Sequence, residues 1–249
     1  MIRYFVLNLL QQTQKAAYVF GGMAVSGIPP EQVELYPAKS GDNYSTTESI
    51  IKCAENDGFD FTGREIWTKF MLTYTWDVCN ILRRVIENDY DEDYYIFLED
   101  DRIPKRRNSE LNMTAECLNA DGKFLFFQMF YKHHEKYDHL LRYKPFDAHI
   151  NRNATGHCLA AFMFTRAGAN FLLDQFLNNP NLETHRNIEF LPYYVEGDGI
   201  YSVRNPTSYI MHLNSKYFGV EPEFFQDGRL LRRKEQEGRK EQEACNNLQ

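Results

Sequence analysis

Tyr94-Tyr95-Ile96-Phe97-Leu98-Glu99-Asp100-Asp101 is an aromatic and aliphatic run that ends abruptly in three carboxylates. Five large apolar residues in succession have the signature of a central β-strand covered on both faces. An open α/β sheet places its ligands in the crevice beyond the carboxyl ends of its strands, so Glu99, Asp100 and Asp101 are expected to point into such a crevice. Three like charges side by side repel and resist desolvation unless a cation neutralises them. Carboxylate oxygens suit Mg2+ or Mn2+. The plain alternative is an acidic surface turn; a buried strand running straight into the cluster favours the metal.

Outward from this strand the chain alternates between strand and helix patterns. Residues 2–7 are nearly all apolar and predict a buried first strand. A polar run over 8–15 follows, then an apolar segment ending at Gly21-Gly22, which predicts a loop and a helix with a glycine stop. After Pro29-Pro30 a second strand is expected at 33–36, and residues 37–42 turn away, giving a β-α-β opening. Thr62 and Glu65 form a Thr-x-x-Glu capping box, which predicts a helix start there. Apolar residues recur with helical spacing from Ile66 to Ile86, and Trp67 and Trp76 are expected to pack in the core. Further strands are predicted at 124–130, 160–165 and 208–213, with a helix over 166–177. The class is α/β, with a mostly parallel central sheet flanked by helices.

The chain has 249 residues, 43% hydrophobic and 25% charged, which suits one compact domain. Residues 1–228 are assigned to it. From Arg229 the chain turns to Arg, Lys, Glu and Gln, so 229–249 is expected to be a charged tail, helical or disordered. With 28 basic against 35 acidic residues the net charge is −7. A general nucleic-acid binder relies on a basic face, so nucleic acid is not the expected partner. No apolar stretch approaches the ~20 residues of a membrane span. Five scattered cysteines, an odd number without any C-x-x-C pair, fit free thiols in a reducing compartment, and a cytoplasmic location is expected.

The strand with its Glu-Asp-Asp end resembles the acidic "DxD" element of GT-A-fold glycosyltransferases (nucleotide-diphospho-sugar transferases). It most resembles glycosyltransferase family 25, the lipopolysaccharide and collagen type, and the small glycosyltransferases of large algal viruses. Weaker pieces follow in the same order. Tyr4-Phe5-Val6-Leu7-Asn8-Leu9 is similar to the family's opening strand, and Pro37-Ala38-Lys39-Ser40-Gly41 to its Pro-Ala-x-x-Gly turn. Residues 156–164 with Thr165-Arg166-Ala167-Gly168-Ala169 resemble its strand and Ser/Thr-Arg-x-Gly-Ala helix start.

The resemblance implies transfer of a sugar from a UDP- or GDP-linked donor to a hydroxyl of a glycan or glycoprotein acceptor, assisted by Mn2+ or Mg2+. A virus-encoded member would work in the host cytoplasm. It further implies that Asp101 holds the metal with Glu99, that Glu99 also contacts the ribose or sugar, and that Asp100 assists. A late His followed by a Lys at the diphosphate completes the pattern in many GT-A enzymes; His212 and Lys216 resemble that pair. Neutral imidazole ligates a metal and an ammonium offers phosphate a point charge.

An inverting reaction needs a carboxylate to take the acceptor proton, and Asp198, between Gly197 and Gly199, is the first candidate, with Glu196 second. Asn8, Leu9 and Lys15 after the first strand, with Lys39 after the second, are placed to line the nucleotide crevice. The aromatic pairs Phe130-Tyr131 and Tyr193-Tyr194 are candidates to stack on an acceptor sugar. Adjacent His133-His134 do not share a helix face and carry little weight as a metal site. Two other readings stay open: a catalytically silent carbohydrate-binding protein of the same fold, and a metal-dependent nucleotidyltransferase.

Overall fold

Ile2–Asn8 (β1) is buried except at Arg3 and lies between two parallel neighbours, Val33–Pro37 (β2) and Tyr94–Glu99 (β3). A helix, Thr13–Val25 (α1), connects β1 to β2 and completes the β-α-β opening. The computed structural model describes residues 1–9, 11–88, 90–132, 144–153, 156–185 and 188–212. The chain divides into two units, Met1–His212 and Leu213–Gln249. The expected boundary at 228, the charged tail 229–249, His133-His134 and Lys216 lie outside the described residues.

In chain order the remaining helices are Thr47–Asn56 (α2), Lys69–Glu87 (α3), Asn108–Leu118 (α4), Arg166–Asn178 (α5) and Pro180–His185 (α6). The remaining strands are Arg102–Pro104 (β4), Phe126–Gln128 (β5), Lys144–Pro145 (β6), Ile150–Arg152 (β7), Ala161–Thr165 (β8), Ile200–Val203 (β9) and Ile210–His212 (β10). The main sheet has the order β2-β1-β3-β8-β5-β9-β7-β6, and β4 pairs with β10 in a small second sheet. Pairing is parallel for β1 with β2 and β3, and for β5 with β9; the other four pairs are antiparallel. Followed across the sheet, six strands point one way, and β8 and β7 point back.

Alternation along the strands fills both faces. Phe5, Leu7, Tyr95, Phe97, Phe126, Phe162 and Phe164 join the core formed with α2, α3 and α5. Tyr4, Val6, Ile96, Leu98, Phe127 and Met163 are buried on the other face, where Tyr4 donates to Asn108 at the start of α4. This two-sided burial explains why β1 and β3 are continuous apolar runs. The Phe97 and Phe162 rings, opposite each other in register, stack with centroids 4.9 Å apart. Burying each ring contributes about 2–3 kcal/mol.

Two helix boundaries differ from the sequence pattern. Helix α3 starts at Lys69, capped by Thr68, whose side chain accepts from the Met71 N–H. The Thr62–Glu65 pattern forms a turn instead: Gly63 has φ +86° and its N–H donates to Glu65. Arg64 is drawn inward to the carbonyls of Phe176 and Leu177 at the end of α5, and Trp67 follows it into the core. Tertiary packing of these two residues overrides the local cap. Likewise α1 does not stop at Gly21-Gly22 but runs to Val25, and Gly27, at φ +70°, ends the turn beyond it. A Cβ on Gly22 would stand 2.4 Å from Ile103, so the glycine lets α1 lie close against β4. No helix among the described residues is long and apolar enough to cross a membrane.

Candidate functional site

The strand β3 ends at Glu99, whose N–H donates to the Ala160 carbonyl at the mouth of β8. The chain then leaves the main sheet through Asp100 and Asp101 and enters β4. Because β4 pairs antiparallel with β10, Arg102 stands opposite His212. Two short strands thus return a histidine from the far end of the described chain to the acidic turn.

The three carboxylates take three different directions. Asp100 faces the β1–α1 connection: Asn8 Nδ2 donates to it at 2.8 Å and Lys15 Nζ lies 3.3 Å away. Asp101 Oδ2 is 3.0 Å from His212 Nε2, and its Oδ1 is 2.9 Å from Arg102 Nη1. Glu99 is 3.8 Å from Arg102 Nη2 and turns towards Tyr74 on α3. Arg102 is 3% exposed, and its guanidinium lies 4.6 Å over the Phe130 ring.

Protonation follows these surroundings. Glu99 is pushed up to about 8, by burial first and by the Asp101 charge second, against the lowering effect of Arg102. Asp100 is raised by burial, which outweighs Lys15. Asp101 is also pushed up by burial, but the His212 hydrogen bond and the charges of Arg102 and His212 bring it below the ordinary value. Of the two neighbouring carboxylates, Glu99 is therefore the one driven towards its protonated form and Asp101 towards its charged form.

Several expected residues come together here. Asn8, Lys15, Glu99, Asp100, Asp101 and His212 share the carboxyl-end edge, and Leu9 lies beside Asn8 in the same connection, its carbonyl accepting from Gln12. Lys39 does not join them. Its ammonium lies 2.7 Å from buried Asp77 and 4.4 Å over the Trp76 ring, so it ties the end of β2 to α3.

Asp198 and Glu196 are a correction. β9 runs parallel to β5 and begins at Ile200, in register with Phe126 and, through β8, with the early residues of β3. Residues 196–199 therefore stand at the amino ends of the strands, the edge opposite Glu99. There Asp198 pairs with Lys123 at 3.5 Å, both of them exposed. Gly199, at φ +85°, has no room for a Cβ, which would fall 1.9 Å from the Lys123 carbonyl. The Gly-Asp-Gly turn is a packing device against residue 123.

Three residues at the carboxylate edge have no motif of their own. Arg102 follows the acidic triplet directly and is legible only once β4 turns inward. Tyr74 is one apolar position of a helix; its hydroxyl donates to the Leu159 carbonyl at 3.3 Å. Glu189 belongs to a 3-10 turn, Ile188–Tyr193, whose carbonyl at 189 accepts from Cys158, and its charge acts on Glu99, Tyr74 and Cys158. Beside it His157, Phe190 and Tyr193 form an aromatic stack, with ring centroids 5.4 Å apart for His157–Phe190 and 6.0 Å for Phe190–Tyr193. Phe130 serves Arg102, and Tyr131 donates to the Arg204 carbonyl.

Among the described residues, no three of His, Cys, Asp and Glu are grouped as a ready protein cage for a metal. The donor chemistry nevertheless suits a hard divalent ion. A carboxylate and an imidazole nitrogen meet at 3.0 Å, and Asp101 Oδ1 is buried without a hydrogen bond, since Arg102 lies close to it but poorly aligned. Mg2+-type sites commonly use one or two protein carboxylates and complete the shell with water and substrate phosphates, so a full protein cage is not required. No protein-family model matches the chain, and no curated protein matches it.

Proposed function

We propose that the chain is a metal-dependent glycosyltransferase of GT-A fold that moves a sugar from a UDP- or GDP-linked donor to a glycan hydroxyl. The observation that carries this reading is the meeting of Asp101 and His212 beside Glu99 at the carboxyl-end edge of a sheet whose strands mostly point one way. In an α/β sheet that edge is where nucleotides lie.

Departure of a nucleoside diphosphate needs its growing negative charge stabilised. A bound Mn2+ or Mg2+ supplies Lewis-acid stabilisation of that charge. Asp101 and His212 would be the protein ligands for it, and Glu99 would face the ribose or the donor sugar and share the ion. Lys15 and the first turn of α1, which has no acidic residue and no side-chain cap, favour the phosphates. Asn8 and Asp100 hold the β1–α1 connection in place around them.

With Asp198 and Glu196 on the far edge, the acceptor proton falls to Glu189, the carboxylate beside the aromatic stack. The stack of His157, Phe190 and Tyr193 offers flat apolar area to a sugar face. Glu189→Gln is expected to lower turnover by at least 10²-fold with nucleotide binding unchanged; unchanged turnover would remove Glu189 from the mechanism and favour retention.

Thermal shift tests the reading as a whole. Mn2+ with UDP or GDP is expected to raise the melting temperature, and Asp101→Ala to abolish the metal-dependent part. No shift with either nucleotide, with or without Mn2+, overturns it.

A further inference from the structure

Arg102 is the least expected group in the site. Its side chain is 3% exposed, wedged between Asp101 at 2.9 Å and Glu99 at 3.8 Å, over the face of Phe130. It sits on β4 opposite His212, so the pairing that presents the histidine also aims the guanidinium at the carboxylates. Yet Nε and Nη1 of this buried cation make no hydrogen bond among the described residues, and neither does Asp101 Oδ1. Unmade hydrogen bonds on a buried charged group are unfavourable, and an ion pair without them is poorly compensated for its desolvation. Arg102 thus stands where a metal shared by Asp101 and Glu99 would sit, with donors unused. A diphosphate offers a guanidinium the paired oxygens that would use them.

We propose that Arg102 is the resident cation of the site: without nucleotide it occupies the place between Asp101 and Glu99, and it yields to the metal only when a nucleoside diphosphate arrives to take the guanidinium. Metal and diphosphate then bind as a pair, and free metal binds weakly. This rests on the glycosyltransferase reading, because it supposes a metal on Asp101 and a diphosphate beside it.

Mn2+ binding followed by electron paramagnetic resonance, with and without UDP or GDP, tests it on the whole chain. In wild type, nucleotide is expected to tighten Mn2+ at least tenfold. In Arg102→Met, which keeps an apolar stem over Phe130 but removes the charge, Mn2+ alone is expected to bind at least tenfold tighter than in wild type and to depend less on nucleotide. A variant that folds only when Mn2+ is added supports the same conclusion. Should Arg102→Met not fold even then, Arg102→Lys decides: the shorter ammonium cannot serve both carboxylates, and Mn2+ alone is expected to bind at least threefold tighter. Mn2+ affinity equal to or below wild type in the folded variant overturns the role of Arg102, while leaving the glycosyltransferase reading intact. Absence of Mn2+ binding to wild type under every condition overturns that reading as well.

Discussion

Asp77, which holds the expected site residue Lys39, shows how that residue belongs to the framework. Its carboxylate accepts from both the backbone N–H and the ammonium of Lys39, each at 2.7 Å, deep under the end of β2. Burial raises it above its ordinary 3.8, outweighing the lowering effect of Lys39. The folded state therefore binds this proton more tightly than the unfolded chain. The group's contribution to stability is fully present below the ordinary value and is lost as pH rises through the folded one. Urea unfolding between about pH 3 and pH 7 is expected to show a flatter pH dependence for Asp77→Asn than for wild type; an equal or steeper decline contradicts the assignment. Residues such as Glu99, Asp100 and Asp101 are legible because they interrupt an apolar run. Their partners are not, because His212 and Lys15 are 111 and 85 positions away from the carboxylates they meet, and only the register of β4 with β10 or the β-α-β opening brings them close.

At the scale of elements, glycines fix how closely helices approach the sheet. Gly168 lies at the start of α5, where the Thr165 hydroxyl accepts its N–H and itself donates to the Phe124 carbonyl. A Cβ there would fall 1.8 Å from the Leu125 carbonyl, a backbone atom that cannot move aside alone. Gly168→Ala is expected to destabilise the fold by about 2–4 kcal/mol, read as a lower urea midpoint. Gly21 is the contrast: it is exposed, inside α1, with nothing near its Cβ position. Gly21→Ala is expected to stabilise by about 0.5–1 kcal/mol. Equal effects from the two substitutions would refute this packing account.

The positions of β1, β3 and β8 follow from apolar runs, since burial on both faces leaves a mark in the sequence, whereas the short β4, β6, β7 and β9 carry no such mark. Helix starts are less legible. The Thr62–Glu65 pattern satisfies the local rule, but burial of Arg64 and Trp67 places the start at Lys69, after the Thr68 cap, and no local pattern records that demand. The place of residues 196–199 is hidden for a related reason: Gly197-Asp198-Gly199 looks like a flexible active-site turn, and only the direction of β9 puts it on the edge opposite Glu99.

For the whole molecule, the net charge of −7 constrains how the proposed nucleotide donor could bind. An acidic chain repels a diphosphate unless positive charge is supplied locally, and here Lys15, Arg102 and the α1 amino end offer some of it within one edge of the sheet. In the proposed reading a divalent ion on Asp101 and His212 would supply the rest. The most direct measurement is release of UDP or GDP from a panel of nucleotide sugars in the presence of Mn2+. Release from at least one donor, reduced by 10²-fold or more in Asp101→Ala and by removal of the metal, is the predicted result. Absence of release from every donor, or release that neither Asp101→Ala nor metal removal alters, would contradict the account.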